Sequence, residues 1–163
     1  MGLQAAVITV SDKGARGERE DLSGQAIIEI LGEIGIEVSE YRVIPDEEEK
    51  IKELLLEFAD RGNHELIITT GGTGVSPRDV TPDATLKVIE KEIPGIAEAM
   101  RHASITITPH AMISRAVAGI RKRSLIINLP GSPRAVRDNL SVVLPALRHA
   151  IEKIKGDQSD CAV

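Results

Sequence analysis

Aromatic residues are nearly absent from this chain of 163 residues, since only Tyr41 and Phe58 are aromatic and tryptophan does not occur. Proteins that bind single-stranded nucleic acids stack the bases on aromatic side chains, so this scarcity argues against that function. The net charge of −5 also argues against a surface that binds nucleic acids. The only short basic cluster, at 121–123, fits a solvated turn or an anion site better than a nucleic-acid surface. We therefore expect an aliphatic core and no nucleic acid among the partners.

Cysteine and long apolar runs are also scarce. The one cysteine, Cys161, cannot form an internal disulfide, which is typical of a reducing compartment, and its place near the chain end argues against a catalytic thiol. No apolar run reaches about 18 residues, and no basic, cleavable leader surrounds the apolar stretch 5–10. We therefore predict a cytoplasmic protein with no membrane partner. The length fits one domain, 1–163, with its core at about 5–155.

Apolar runs and helical spacing alternate along the chain. The pattern predicts buried strands at 5–10, 65–70 and 124–129, and a further strand near a sheet edge at 36–44. It also predicts helices, at about 23–35, 46–61, 81–93, 95–103 and 133–155, with a less regular helical segment at 109–115. Continuously apolar central strands that alternate with helices are typical of an α/β fold with a mostly parallel sheet.

Three of the predicted helices begin at a residue that can cap them. Ser23 is the predicted N-cap of the first helix. Asp46, with Glu49 three residues later, has the spacing of a capping box. Thr81 precedes Pro82, and proline is favoured at the first helical position. Local spacing therefore assigns all three side chains to helix starts.

Polar segments follow several of the predicted strands. In α/β sheets, ligands bind beyond the carboxyl ends of the strands. We therefore expect one pocket to be formed by four segments, namely 11–17, 45–46, 69–79 and 130–133.

The most informative of these segments contains the string Thr69–Gly74, TTGGTG, which is reached directly from an apolar strand. Glycines let the backbone approach a ligand closely, and successive N–H groups can surround an anion. The string lacks the Gly-Lys-Ser/Thr ending of a P-loop and the spacing of the dinucleotide-binding fingerprint. As a glycine motif alone it is weak, but together with the residues that follow it indicates phosphate chemistry.

Two aspartates carry alternative interpretations. Asp46 is either a helix cap or a carboxylate at a strand end that joins Asp79 in holding a metal. Asp79 either pairs with Arg78 on the surface or acts as a Mg²⁺ ligand, and its place five residues after the glycine string favours the metal. Asp83 fits the first turn of a helix.

Further polar residues and one turn have open interpretations. Ser114 and Arg115 fit an ordinary helix end, whereas Arg115 or Arg78 would equally suit a phosphate, because a guanidinium presents a planar fork of donors. The turn Pro130–Pro133 precedes a helix whose N-terminus favours anions. The histidines have no metal-ligand spacing, so no zinc site is expected.

Taken together, these strings resemble the molybdopterin adenylyltransferases of molybdenum-cofactor biosynthesis, the MogA/MoaB type, and are similar to the G domain of gephyrin. The resemblance runs in unbroken order from about 5 to 155. It is carried by the strings ITVSD at 8–12, VIPD at 43–46, TTGGTG at 69–74, PRDVTPDAT at 77–85, PG at 94–95, MISR at 112–115, AGIR at 118–121 and NLPGSP at 128–133.

The resemblance implies a three-layer α/β/α domain, a homotrimer, and transfer of AMP from Mg²⁺-ATP to the terminal phosphate of molybdopterin with release of pyrophosphate. It assigns catalysis to Asp46 and Asp79, which we also predict to hold Mg²⁺, and it assigns pterin binding to Ser114. It implies delivery of the product to a molybdenum insertion protein. The full set of substrate-binding residues that we predict is Ser11, Asp12, Thr70, Gly71, Gly72, Thr73, Gly74, Arg78, Ser114, Arg115, Pro130, Gly131 and Ser132.

A second interpretation from another class is a non-catalytic trimer that binds molybdopterin and passes it to a partner. The presence of both Asp46 and Asp79 favours the enzyme. Either molybdenum or tungsten fits the resemblance as the metal of the pathway.

Overall fold

The computed structural model describes residues 2–159, so Cys161 lies outside the described residues. A six-stranded sheet forms the centre of the fold, with strand order β2-β1-β3-β6-β5-β4. The strands are β1 (Gln4–Val10), β2 (Glu37–Ile44), β3 (Leu66–Thr70), β4 (Lys91–Glu92), β5 (Ala118–Arg121) and β6 (Ser124–Leu129). Strands β2, β1, β3 and β6 are parallel to one another, and β5 is antiparallel to both β6 and β4.

Helices cover both faces of the sheet. They are α1 (Asp12–Ala15), α2 (Leu22–Glu33), α3 (Glu48–Asp60), α4 (Thr81–Val88), α5 (Pro94–Ile105) and α6 (Pro133–Ile154), with a 3-10 helix at Pro109–Ile113. Alternate residues of β1 point to opposite faces: Ala5 and Val7 pack with α2, α5 and α6, whereas Ala6 and Ile8 pack with α3 and α4. The predicted three-layer α/β/α architecture with a mostly parallel sheet is therefore confirmed.

The strand order places a reversal at the centre of the sheet. The chain passes from β1 outward to β2 on one side and returns to β3 on the other side. The helices of the two connections lie on opposite faces, so a crevice opens between the carboxyl ends of β1 and β3, where ligands bind in such folds. Thr9 and Thr70 are register partners beside this crevice.

The predicted cap of α2 is wrong. Asp21 caps this helix and accepts a hydrogen bond from the Gly24 N–H at 2.9 Å. The Ser23 hydroxyl instead donates to the carbonyl oxygen of Gly131 at 2.6 Å. A partner 108 residues away has therefore taken the side chain that local spacing assigned to the cap.

The predicted caps of α3 and α4 are also wrong. Helix α3 begins at Glu48, and its N-cap is Glu47, whose side chain makes no capping hydrogen bond. Helix α4 already includes Thr81, and its N-cap is Val80. Asp46 and the Thr81 hydroxyl are therefore left for other contacts.

The antiparallel edge of the sheet was not predicted. Helix α4 ends at Val88, short of the predicted end near 93, and the following residues form β4 and then α5. The basic cluster lies at the β5–β6 turn, where Lys122 has a φ of 50° and where both Arg121 and Lys122 contact Asp60. No helix within residues 2–159 combines the length and the apolar composition needed to cross a bilayer.

Candidate active site

The glycine turn after β3 lies against the end of β1. Gly71 has a φ of 95° and Gly72 a φ of 66°, a backbone region that glycine occupies without steric cost. A Cβ at Gly71 would lie 2.3 Å from the Val10 carbonyl oxygen, whereas one at Gly131 would lie at the ordinary contact distance of 3.4 Å from the Gly71 Cα. The absence of a side chain at Gly71 therefore lets the glycine turn approach the end of β1 at the crevice.

Asp46 and Asp12 join the loops that follow β2 and β1. The Asp12 N–H donates to Asp46 Oδ2 at 2.9 Å, and the Asp46 N–H donates to Asp12 Oδ1 at 3.0 Å. Ser11 sets the position of Asp12, because its Oγ accepts from the Gly14 N–H and caps α1. This reciprocal pair fixes the Asp46 backbone at the crevice.

Arg78 neutralises one member of this pair. Its guanidinium donates to both Asp12 carboxylate oxygens, at 3.0 and 2.7 Å, which holds the pKa of Asp12 below its ordinary value. Burial, and then the charges of Asp12 and Asp79, raise the pKa of Asp46. Asp46 is thus a carboxylate whose charge is incompletely balanced by the protein.

Asp79 belongs to the turn that follows the glycine string. Its Oδ2 accepts from the Ser76 N–H at 2.9 Å, and a Cβ at Gly74 would lie 2.8 Å from this oxygen. Asp79 and Asp46 line the same cavity, which we call the carboxylate cavity. Two carboxylates that face a shared space, one of them poorly neutralised, suit a divalent cation bound to substrate phosphates.

The carboxylate cavity has a volume of about 640 Å³. Each of the four segments predicted to converge contributes to its wall, so that prediction is confirmed. The contributing residues include Ser11 and Gly14, Asp46, Thr70 to Gly72 with Asp79, and Gly131 to Pro133. Within residues 2–159, no group of three or more His, Cys, Asp or Glu side chains could hold a metal, so a cation here would depend on substrate oxygens as well.

A second cavity, of about 520 Å³, lies on the other side of the same loops, and we call it the serine cavity because Ser114 lines it. Its wall is mainly apolar and comes from α5, the 3-10 helix and α6, with Met100, Ile107 and Ile113 among its residues. Ser132 lines both cavities, Gly71 and Gly72 line the carboxylate cavity, and Thr73 and Gly74 line the serine cavity. The glycine turn and the 130–133 loop therefore form a shared wall.

Arg115 holds the glycine turn in place. Its Nε donates to the Gly74 carbonyl oxygen at 2.8 Å, and its Nη2 donates to the Asp79 carbonyl oxygen at 2.5 Å. The same guanidinium forms a bidentate pair with Asp83, at 3.2 and 3.0 Å, and lowers the pKa of Asp83. The donors of Arg115 and Arg78 are thus engaged with protein groups here, and phosphate binding by either side chain stays a prediction.

Several residues at the two cavities were not predicted. Arg19 and Asp21 line the carboxylate cavity, and Asp21 accepts from the Thr9 hydroxyl at 2.5 Å and from the Tyr41 hydroxyl. Burial, followed by the nearby Asp21, raises the pKa of Tyr41. In the serine cavity, Arg101 donates to the Ala116 carbonyl oxygen at 2.8 Å. The signal for Asp21 was an aspartate directly before the helical segment, because aspartate is among the preferred N-cap residues.

The fold and site define an α/β ligand-binding protein with two cavities that meet at the switch point of a parallel sheet. The chain belongs to the family described as "Probable molybdopterin binding domain", which matches residues 6–149.

Relatives of known function and structure are similar over most of their length. The molybdopterin adenylyltransferase of Helicobacter pylori (strain J99) is 43% identical over 157 residues, which covers 95% of this chain and 89% of that protein. The molybdopterin adenylyltransferase of Escherichia coli K12 is 41% identical and covers 88% and 75%, respectively. The crystal structure of the molybdopterin biosynthesis enzyme MoaB from Thermus thermophilus has a TM-score of 0.90 and 48% identity, and it covers 95% of this chain and 98% of that one.

Proposed function

We propose that this protein is a molybdopterin adenylyltransferase, which transfers AMP from ATP to the terminal phosphate of molybdopterin and releases pyrophosphate. The observation that carries the proposal is the shared wall between the carboxylate cavity and the serine cavity. A reaction between two bound substrates needs two adjoining sites that bring the reacting atoms together. Family membership and relatives named for this activity support the same function.

The chemistry of the two walls suggests which substrate each cavity takes. The mainly apolar serine cavity suits the flat pterin ring, with Ser114 as a polar contact. The carboxylate cavity suits the ATP phosphates, because the glycine turn supplies backbone N–H groups. Ser132 lies on the shared wall at the N-cap of α6, where the helix N-terminus favours an anion.

In this arrangement a terminal phosphate oxygen of molybdopterin attacks the α-phosphorus of ATP across the shared wall. A new bond forms between that oxygen and the α-phosphorus, and the bond from the α-phosphorus to the bridging oxygen of pyrophosphate breaks. Such a transfer requires positioning and charge stabilisation more than covalent catalysis by the protein. The rigid pair of Asp12 and Asp46 and the clamp by Arg115 hold the loops in position.

Mg²⁺ is part of the proposal, with Asp46 and Asp79 as its protein ligands. When bound, Mg²⁺ would supply positive charge that stabilises the negative charge developing on the leaving pyrophosphate. Asp46 fits this task because burial and two neighbouring carboxylates make its own charge unfavourable without a cation. Arg78 is already paired with Asp12, so it leaves Asp46 available.

We also propose that the protein acts as a homotrimer in the cytoplasm and delivers its product to a molybdenum insertion protein. Exposed apolar side chains near the serine cavity support an assembly: Ile105, Ile107, Met112 and Ile113 are 45–66% exposed. Light scattering coupled to gel filtration tests the trimer, and a monomer at micromolar concentration would count against it.

The function is tested with purified protein, molybdopterin, ATP and Mg²⁺, by following adenylyl-molybdopterin. Asp46→Asn and Asp79→Asn keep the side-chain shape but remove the charge, and we expect each to lower the rate on the order of 100-fold. Glu33→Gln, on the exposed end of α2, is the matched control and should leave the rate unchanged.

The outcomes separate the enzyme from the scaffold. Product from the wild-type protein, and little from either aspartate variant, supports the adenylyltransferase. Molybdopterin binding without product would instead indicate the non-catalytic scaffold. Full activity in both aspartate variants would refute the assigned site.

A further inference from the structure

We propose that Thr81 is a positioning residue for Asp46: in the loaded site its hydroxyl donates a hydrogen bond to the Asp46 carboxylate, directly or through one water molecule. The inference rests on the proposed function, because it gives Thr81 a task in the reaction that Asp46 serves.

The Thr81 hydroxyl is buried and has no partner. Thr81 is 0% exposed, and within residues 2–159 its Oγ1 is the only buried side-chain polar atom without a hydrogen bond. A buried hydroxyl that lacks a partner is unfavourable, and such groups in folded proteins call for an explanation. Capping does not provide one, because Val80 is the N-cap of α4.

The second observation is the position of this hydroxyl relative to Asp46. A Cβ built on Gly72 would lie 2.4 Å from Thr81 Oγ1 and 3.1 Å from Asp46 Oδ1, so both oxygens face the same side of Gly72. The Thr81 N–H donates to the Gly72 carbonyl oxygen at 3.1 Å, which holds the start of α4 against the glycine turn. Glycine at position 72 therefore keeps open a small gap between the hydroxyl and the carboxylate.

The hydrogen-bonding needs of the two groups are complementary. Asp46 Oδ2 accepts from the Asp12 N–H, whereas Oδ1 accepts no hydrogen bond from the residues that the structure describes. Thr81 Oγ1 has a proton to donate and no acceptor. A small rotation of either side chain, or one water molecule in the gap, satisfies both groups at once.

Such a contact would orient the carboxylate. Groups that hydrogen-bond to a metal ligand fix its direction, and their loss typically costs about 10- to 100-fold in metal affinity or activity. Asp46 lines the carboxylate cavity, whereas Thr81 lies behind the glycine turn, so Thr81 acts through Asp46 and does not touch the substrate.

Helix α4 provides a matched control four residues away. Thr85 is also 0% exposed, but its hydroxyl donates to the Thr81 carbonyl oxygen at 2.8 Å and accepts from Asn128 Nδ2 at 2.9 Å. Valine has nearly the shape of threonine but no hydroxyl. The same substitution therefore removes a satisfied hydroxyl at Thr85 and an unsatisfied one at Thr81.

The test compares Thr81→Val, Thr81→Ser and Thr85→Val with the wild-type protein. Three quantities are measured: the midpoint of thermal unfolding, the calorimetric affinity for Mg²⁺ with a non-hydrolysable ATP analogue, and kcat with KM for ATP. We expect Thr81→Val to unfold at the wild-type temperature or above it. Its kcat and its Mg²⁺-analogue affinity should fall by about 10-fold or more. Thr81→Ser should restore both, and Thr85→Val should unfold earlier.

Two results would overturn the inference. One is a Thr81→Val protein with wild-type kcat and affinity, and the other is a fall in its unfolding midpoint as large as that of Thr85→Val. If the wild type makes no adenylyl-molybdopterin, the proposed function fails, but the Mg²⁺-analogue affinity still decides on Thr81. Weaker binding by Thr81→Val then supports the inference, and equal binding refutes it.

Discussion

Gly71→Ala should destabilise the protein strongly, because the backbone at this position leaves no room for a side chain. Gly71 has a φ of 95°, and a residue with a Cβ pays about 1–2 kcal/mol in left-handed backbone regions. The added Cβ would also lie 2.3 Å from the Val10 carbonyl oxygen. Because this neighbour is backbone, no rotamer change relieves the clash, and forced shifts of this kind cost about 1–3 kcal/mol. We therefore expect a loss of about 2–5 kcal/mol in the free energy of unfolding.

Gly32→Ala is the matched control for this substitution. Gly32 lies inside α2, and a Cβ there would meet no atom within 4 Å. Alanine in an exposed helix interior is about 0.5–1 kcal/mol better than glycine, so the identical change should stabilise the protein. Urea denaturation of both variants measures the two effects, and they should have opposite signs. A Gly71→Ala variant within about 1 kcal/mol of the wild type would refute the steric reasoning.

Two further predictions concern contacts away from the cavities. The Arg121 guanidinium lowers the pKa of Asp60 to about 2. Because this folded-state pKa lies below the unfolded value, the stabilisation is complete above about pH 4 and is lost as the pH falls towards 2. The difference in unfolding free energy between wild type and Asp60→Asn should therefore shrink below pH 4, and a constant difference would contradict the assignment. Asn128→Ala should cost about 3 kcal/mol or more in urea denaturation, because its Nδ2 donates to the buried hydroxyls of Thr69 and Thr85. A loss below about 1 kcal/mol would show that these hydroxyls find other partners.

The centre of the fold was predictable because its strands are continuously apolar. Strands β1, β3 and β6 are buried on both faces, and apart from the half-buried Gln4 at the start of β1 their residues are apolar or are Ser, Thr or Asn. Strand β2 consists of exposed and half-buried residues, as expected for a strand at the edge of the sheet. The convergence of the loops followed from the rule for parallel sheets and did not require the details of any side chain.

Two of the three predicted helix caps were wrong because their side chains have partners far away in the sequence. Ser23 contacts Gly131, and Asp46 contacts Asp12. Spacing within four residues carries no information about such contacts. A polar residue at a helix start of an α/β protein can therefore serve the loop beside it instead of the helix.

The antiparallel edge formed by β4 and β5 was not predicted, for a different reason. Strand β4 has two residues and β5 has four, which is too short for a periodic pattern. Gly119 does mark the site: a Cβ there would lie 2.6 Å from the Lys91 carbonyl oxygen, so the two backbones approach closely. The position of Arg101 in the serine cavity depends on how α5 packs against the 3-10 helix, which tertiary contacts decide.

The single tyrosine is an intrinsic fluorescence probe close to the candidate site. The Tyr41 hydroxyl donates a hydrogen bond to Asp21, and Asp21 lines the carboxylate cavity. With no tryptophan in the chain, the ultraviolet emission of the protein is dominated by this one phenol. Any ligand that moves Asp21 would change the surroundings of the phenol, so the unlabelled protein carries its own fluorescent reporter beside the cavity.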